Sequence, residues 1–267
     1  MPVAASGLVT SIANPVGSGN SRAVAFNALA HAEASMRSNA FFISNINARP
    51  LFNALGGFPM KLLCVCDLHG EDACLGYLRE ALARVKPDAI LIAGDLTAPG
   101  PESFGNDLLE SLEGKKVFAV HGNMDNERVI RLLGERGVSI HGRITKFKGC
   151  SIAGIGGANP TPFHTPTEYS EGEITRILAG IGRVDVFVSH FPPFNTNADL
   201  VAGGAHAGSK ALRDWILSVK PRVVVCGHIH ENSGIESLGE TKIVKLAPLM
   251  KKSFAVVEWP SLETRLE

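Results

Sequence analysis

Lys61-Leu-Leu-Cys-Val-Cys66 is followed at once by Asp67-Leu-His69. A short apolar run with a β-branched residue and no turn-former reads as a strand buried on both faces. Its last apolar residue hands over directly to a carboxylate and, two positions on, to an imidazole. The same arrangement recurs down the chain. Ala89–Ala93 is an apolar run ending in Gly94-Asp95. Lys116–Val120 ends in Gly122-Asn123-Met124-Asp125. Val184–Ser189 ends in His190, and Arg222–Cys226 ends in Gly227-His228-Ile229-His230.

Helical spacing fills the intervals. Leu75, Leu78 and Leu82 mark a helix over Glu71–Val85, and shorter helices are predicted over Asn106–Leu112 and Asn126–Gly134, the latter stopped by glycine. Glu168–Ile181 and Ser209–Val219 complete the set, with Ser209 a good N-cap. Ser139–Ile155 reads as two short strands, Ile235–Leu246 as a hairpin turning at Gly239-Glu240, and Phe254–Glu258 as a last strand. The first half has βαβ character and the end reads as a β meander. Two packed sheets with helices outside satisfy that pattern.

The polar residues at the strand ends carry the chemistry. Carboxyl ends of parallel strands line one crevice, so residues far apart in sequence can converge there. Asp67 and His69 stand at i and i+2, as do His228 and His230, so each pair can face one side of an extended segment. The glycines before Asp95, Asn123 and His228 permit sharp turns and close backbone approach. Two aspartates, one asparagine and four histidines offer a mixed oxygen and nitrogen donor set, suited to borderline divalent or trivalent ions. One such fragment alone reads as a turn or a core histidine. Five, each after a strand, read as a metal site.

The ordered set Asp67-x-His69, Gly94-Asp95, Gly122-Asn123-x-Asp125, His190 and Gly227-His228-x-His230 resembles the calcineurin-like metallophosphoesterase family, over roughly residues 61–258. The resemblance implies an α/β fold: a four-layer α/β/β/α sandwich of two mixed sheets flanked by helices. It implies one metal ion on Asp67, His69, Asp95 and His230, and a second on Asp95, Asn123, His190 and His228, with Asp95 bridging. Manganese, iron, zinc and nickel are the candidate ions. It implies hydrolysis of a phosphate ester by in-line attack of a metal-bridging hydroxide, with Asp95 and Asn123 at the reacting centre. A small phosphodiester is the favoured substrate, nucleotides included. A phosphomonoesterase or protein phosphatase is the alternative, and a non-catalytic protein-binding scaffold on the same fold is the alternative of another class. One position departs from the family pattern: Met124 stands where a histidine is common, and methionine has no proton to give. His206, in the glycine-rich loop before the Ser209 helix, and His121 are the candidate substitutes, with His121 read first as a plain strand-end residue.

Other features read as supporting structure. Gly154-Ile-Gly-Gly157 reads as a loop near the cleft that shapes the pocket with Asn159 and Phe163. His141 and His164 read as surface residues, Phe191-Pro-Pro-Phe194 as a rigid loop, and Glu231 as either an orienting partner of a ligand histidine or a solvated side chain.

Composition sets the limits. In 267 residues, 26 Lys and Arg balance 26 Asp and Glu, so nothing in the net charge favours tight nucleic-acid binding. No basic patch with interleaved aromatics points to a nuclease. Cys64, Cys66, Cys74, Cys150 and Cys226 form no paired motif and read as core thiols in a reducing, cytoplasmic setting. No apolar run reaches about 18 residues, so no membrane span is expected. Residues 1–59 carry one acidic residue, Glu33, against Arg22, Arg37 and Arg49, and show no clear period beyond a short helical stretch at Ala23–Ala34. They read as a disordered or non-core extension, or as sequence upstream of the true start; organelle targeting is the minor reading. Residues 60–267 hold every ligand and every confident element. A chain begun at Met60 is therefore expected to fold and keep its activity. Loss of soluble protein on that truncation, followed by circular dichroism and sedimentation, would place residues 1–59 in the core.

Overall fold

The computed structural model describes residues 58–98 and 102–267. The extension predicted over 1–59, apart from its last two residues, lies outside the described residues.

Eleven strands among the described residues form two sheets. The first contains β1 (Met60–Val65), β2 (Ala89–Ala93), β3 (Val117–Val120), β10 (Ala255–Trp259) and β11 (Thr264–Leu266), in the order β11-β10-β1-β2-β3. The second contains β4 (Ile144–Phe147), β5 (Cys150–Ile155), β6 (Val186–Ser189), β7 (Val223–Cys226), β8 (Gly234–Leu238) and β9 (Thr241–Lys245), in the order β4-β5-β6-β7-β9-β8. Helices α1 (Asp72–Val85), α2 (Ser103–Ser111) and α3 (Glu127–Glu135) pack on the first sheet, and α4 (Glu171–Ala179) and α5 (Lys210–Val219) on the second.

Strand alternation sorts the apolar residues into three layers. From β1, Leu63 and Val65 face the helices α1 to α3. Leu62 and Cys64 face the other way, into a layer shared with Val186 and Val188 of β6 and Val223 and Val225 of β7. Phe187 and Val224 then face α4 and α5. Every strand in the middle of each sheet is therefore covered on both faces, which explains why these runs carry almost no charge. Two mixed sheets between two helical layers make the four-layer α/β/β/α sandwich. All five cysteines are buried and free. Among the described residues no helix is long and apolar enough to cross a membrane.

β1, β2 and β3 run parallel, as do β5, β6, β7 and β9. The carboxyl ends of β1, β2 and β3 thus share one edge of the first sheet, and those of β6 and β7 share one edge of the second. The end of the chain is not a meander. β9 lies parallel to β7, and β10 crosses to the first sheet, antiparallel to β1. Ile243 and Val244 are both fully buried, so β9 needs an interior place with cover on both faces. β10 is not the last strand, because β11 pairs beyond it at the edge.

Side-chain caps set two helix boundaries, and a third is shifted without one. Ser170 and Glu173 form a capping box, so α4 starts at Glu171 and leaves Glu168 in the preceding loop. The Asn126 side chain accepts from the Arg128 and Val129 amides and caps α3, which runs past Gly134 to Glu135. Helix α2 begins three residues earlier than its apolar spacing indicates, at Ser103.

Gly154 lies within β5 rather than in a loop, and faces the layer between the sheets. A Cβ there would lie 2.5 Å from the Val188 carbonyl oxygen and 2.7 Å from Val120 Cγ1. Gly154→Ala is expected to force the sheets apart and cost about 1–3 kcal/mol, as overpacking does. Urea unfolding checks this: a lower midpoint at unchanged slope is the expected result.

Candidate metal centre

Each strand end turns sharply, and the turn aims the side chain. Asp67, His69, Asp95 and His228 all have positive φ, at 53°, 52°, 49° and 72°. Non-glycine residues enter this region at a cost, and such strain concentrates at functional sites. Backbone bonds hold the turns against one another: the Asp67 amide donates to the Gly94 carbonyl at 3.0 Å, and the Leu68 and His69 amides to the Asp95 carbonyl at 2.9 and 3.0 Å. Gly122 lies so close to Asp95 that a Cβ would occupy the carboxylate's own place.

The seven residues expected from the sequence come together here. Asp67 Oδ1 lies 3.4 Å from His230 Nε2 and 4.0 Å from His69 Nε2. The two imidazole nitrogens, His69 Nε2 and His230 Nε2, are 3.4 Å apart. Asp95 Oδ2 lies 3.9 Å from His69 Nε2 and 3.4 Å from His190 Nε2. His190 Nε2 is 2.8 Å from Asn123 Oδ1, and the His228 ring stacks edge-on to His190 with centroids 4.9 Å apart. Two overlapping donor groups result, Asp67 with His69 and His230, and Asp67 with Asp95 and His190, each with its atoms within 4.8 Å of one another.

This donor set fits a pair of cations. Asp67 and Asp95 are buried, and Asp67 Oδ1 has no hydrogen-bond partner. A buried carboxylate oxygen left without a donor is costly unless a cation completes it. The Ala93 carbonyl, 2.8 Å from His190 Nδ1, is an acceptor only, so Nδ1 carries a proton and Nε2 faces the site as a ligand does. With only protein groups around it, His190 is pushed up to about 9: burial opposes its charge, but Asp95, Asp67 and the Ala93 carbonyl outweigh that. Burial, helped by the His190 charge, holds His228 down to about 3, in the neutral form that binds metals. Burial also lowers His69. Asp67 stays well below the usual carboxylate range: burial raises it, but His230 and His190 prevail.

Around these lies a supporting shell that only partly shows in the sequence. Asp125 is fully buried and accepts from the Leu96, Thr97 and Gly122 amides at 3.1, 2.8 and 2.8 Å and from Thr97 Oγ1 at 3.0 Å, which ties the β2 turn to the β3 turn. The Met124 amide donates to Asp95 Oδ1 at 2.8 Å. Asn123 Nδ2 donates to Thr165 Oγ1 at 2.9 Å, and Thr165 Oγ1 lies 2.6 Å from Glu168 Oε1. An ionised carboxylate only accepts, so the single Thr165 hydroxyl proton points at Glu168. The hydroxyl must then accept from Asn123, which turns the asparagine oxygen toward His190. Glu168 is lowered to about 2: burial raises it, and donors on Thr161 and Thr165 outweigh that. The clamp is thus in place above the ordinary value of 4.5 and is lost only as pH falls through about 2. Lys245, buried, donates to the Ile229 carbonyl at 2.5 Å and so supports the His228-x-His230 turn from behind. Thr165, Glu168 and Lys245 sit in no motif, and no signal in the sequence distinguishes them from ordinary loop and strand residues.

The remaining candidates fall elsewhere. A cleft of about 490 Å³ opens over the centre, walled by His69, Asp95, Asn123, Met124, Phe163, His164, Thr165, Pro166, His228 and His230. His206 is not on that wall. Its Nδ1 is taken by buried Asp199 at 2.6 Å and its ring packs on Phe194, so the expected substitute acid serves the 195–208 loop instead. His121 is buried against His141 and the Tyr169 hydroxyl and, through burial first, is held down to about 3. His141 is half-buried rather than fully exposed, and its Nδ1 accepts from the Gly156 amide at 3.0 Å. Gly156 and Gly157 pack on His121 and Tyr169. Asn159 reaches the Ala207 carbonyl, and Glu231 the Ala202 amide rather than a ligand histidine. His164 is exposed, as expected, but stands on the cleft wall beside Phe163.

Comparison with known proteins agrees with this geometry. Residues 60–232 match the family described as calcineurin-like phosphoesterase. An uncharacterized protein of Methanocaldococcus jannaschii is 35% identical over 212 residues, which cover 74% of this chain and 92% of that one. Among solved structures, a Thermus thermophilus protein superimposes with a TM-score of 0.63 at 17% identity, over 79% of this chain and 99% of its own. A dimetal phosphatase from Danio rerio gives 0.54 at 12% identity, over 77% and 98%. An archaeal phosphodiesterase gives 0.50 at 12% identity, over 78% and 99%. At these identities the structures attest the fold, while the family match and the 35% relative attest descent. The chain belongs to the calcineurin-like phosphoesterase family.

Proposed function

We propose that this protein hydrolyses a small phosphodiester at a centre of two metal ions held by Asp67, His69, Asp95, Asn123, His190, His228 and His230. The observation that carries the reading is the partnerless, buried Asp67 Oδ1, set within two overlapping groups of donor atoms. Bound there, two ions supply Lewis acidity to a phosphate oxygen and an acidic water near neutral pH. The protein's own part is placement. Asp95 stands between His69 and His190, where its one charge would serve both ions. Asn123 presents its oxygen to the centre because Thr165 fixes its amide. Met124 lays an uncharged, apolar side chain on the cleft wall, which suits the single charge of a diester better than the two of a monoester.

The deciding experiment is a substrate panel of phosphomonoesters, cyclic nucleotides and linear diesters, assayed with manganese, iron, nickel and zinc. Turnover of diesters above monoesters supports the reading, and turnover of monoesters alone overturns its finer half. Metal binding with no turnover of any ester would leave a scaffold on this fold.

Two variants probe the placement. Asp95→Asn is expected to abolish most activity and to weaken both ions together. Wild-type turnover with two retained ions, counted by plasma emission, would refute the bridging role. Thr165→Val keeps the shape of the side chain and removes the hydroxyl that orients Asn123. It is expected to weaken metal binding about 10–100-fold, the usual cost of losing an orienting partner, while thermal unfolding of the metal-free protein barely moves. Titration calorimetry with manganese reads the first and circular dichroism the second.

A further inference from the structure

Nine histidines occur in the chain, and eight lie among the described residues. His69, His190, His228 and His230 converge at the metal centre. Buried His121 packs against half-buried His141, and His206 is bound to Asp199. His164 is the one left on the cleft wall with no hydrogen bond or ion pair among the described residues. Its neighbour Phe163 is 81% exposed, against 49% for Phe58, the next large apolar side chain among the described residues.

These two residues do not sit on a slack loop. The Glu168 carboxylate accepts from the Thr161 amide and hydroxyl at 3.2 and 2.6 Å, and from the Thr165 amide and hydroxyl at 2.8 and 2.6 Å. The Phe163 amide donates to Thr161 Oγ1 at 3.2 Å. His164 is held at φ 51°, a conformation that costs energy and that this clamp sustains. The same Thr165 hydroxyl that closes the clamp orients Asn123. The loop is thereby registered to the metal centre on one side and projects an aromatic ring and an imidazole on the other. Met124 and Pro166 add apolar surface to the same cleft wall.

We propose that Phe163 and His164 form the subsite for the departing group of the ester, and that this group carries a planar aromatic ring. Phe163 stacks on the ring, and His164 gives its proton to the departing oxygen, the service Met124 cannot perform. This rests on the phosphoesterase reading above. As the oxygen of water bonds to phosphorus, the ester P–O bond breaks and its electron pair stays on the departing oxygen. That oxygen takes the His164 proton and leaves as an alcohol. The attacking water releases one proton to solvent, and His164 regains one from solvent, so ester and water become acid phosphate and alcohol. Nucleosides and simple aryl alcohols share the ring chemistry.

The test uses the full chain loaded with manganese, as wild type, Phe163→Ala and His164→Gln. Binding is measured for two pairs of probes: phenylphosphonate against methylphosphonate, and adenosine monophosphate against ribose 5-phosphate. The wild type is expected to favour the ring-bearing member about tenfold or more, as aromatic stacking gives, and Phe163→Ala to erase that preference without weakening the ring-free probes. A preference in the adenosine pair alone identifies a nucleoside, and a preference in both identifies aryl groups at large. A ring preference that survives Phe163→Ala, or equal weakening of both members, overturns the stacking role. For His164→Gln, turnover of a phenyl ester is expected to fall about 10²-fold more than that of a nitrophenyl ester, whose oxygen needs no acid. Equal losses overturn the proton-donor role. If the loaded wild type turns over no ester, hydrolysis and the His164 step fail together, and the binding pairs still decide the Phe163 subsite.

Discussion

Asp67 and Asp95 stand side by side at the ends of two adjacent parallel strands, both almost wholly buried. Two carboxylates in an apolar interior repel each other and have lost their hydration, a cost several times larger than any one contact in the fold. The surrounding structure is arranged so that this cost can be met by cations. Asp125 takes the donors of both turns, the glycines leave room for the carboxylates, and His69, His190 and His230 turn their Nε2 atoms toward them, with the His228 ring edge-on to His190. Asp67 Oδ1 has no hydrogen-bond partner, which fits the cation proposed above.

The sandwich makes that arrangement rigid. The apolar layer between the sheets sets the distance between the β1–β3 edge, which carries Asp67, Asp95 and Asn123, and the β6–β7 edge, which carries His190 and His228. Close packing resists change in that spacing. At Gly154 of β5 the other sheet comes so close that a Cβ would lie 2.7 Å from Val120 Cγ1. A mutation in this layer acts on the donor distances even though it touches no ligand.

The 161–168 loop joins recognition to the centre through one hydroxyl. Thr165 accepts from Asn123 and donates to Glu168, so the orientation of a ligand and the position of the cleft wall depend on the same atom. Glu168 remains ionised far below neutrality, so the clamp does not loosen at working pH.

How much of this was legible in the chain follows from the range of each interaction. A buried strand announces itself by an uncharged run, and the residue after it must lie at the strand's end, so Asp67, His69, Asp95, Asn123, His190, His228 and His230 could be read in order. Which face of β1, β6 and β7 meets the helices and which the other sheet came only from the structure, because both faces of these runs are apolar. Helix limits at Ser170 and Asn126 depend on capping geometry that periodicity blurs by a few residues. The sequence did not reveal that β9 joins β7 in parallel while β10 crosses to the other sheet, because pairing partners are chosen by burial in three dimensions. It also could not separate the histidines. His121, His141, His164 and His206 are alike in sequence. Only the tertiary structure paired two of them with each other and gave one to Asp199 and one to the cleft, because an imidazole's role is set by the atoms that surround it, and those come from distant segments.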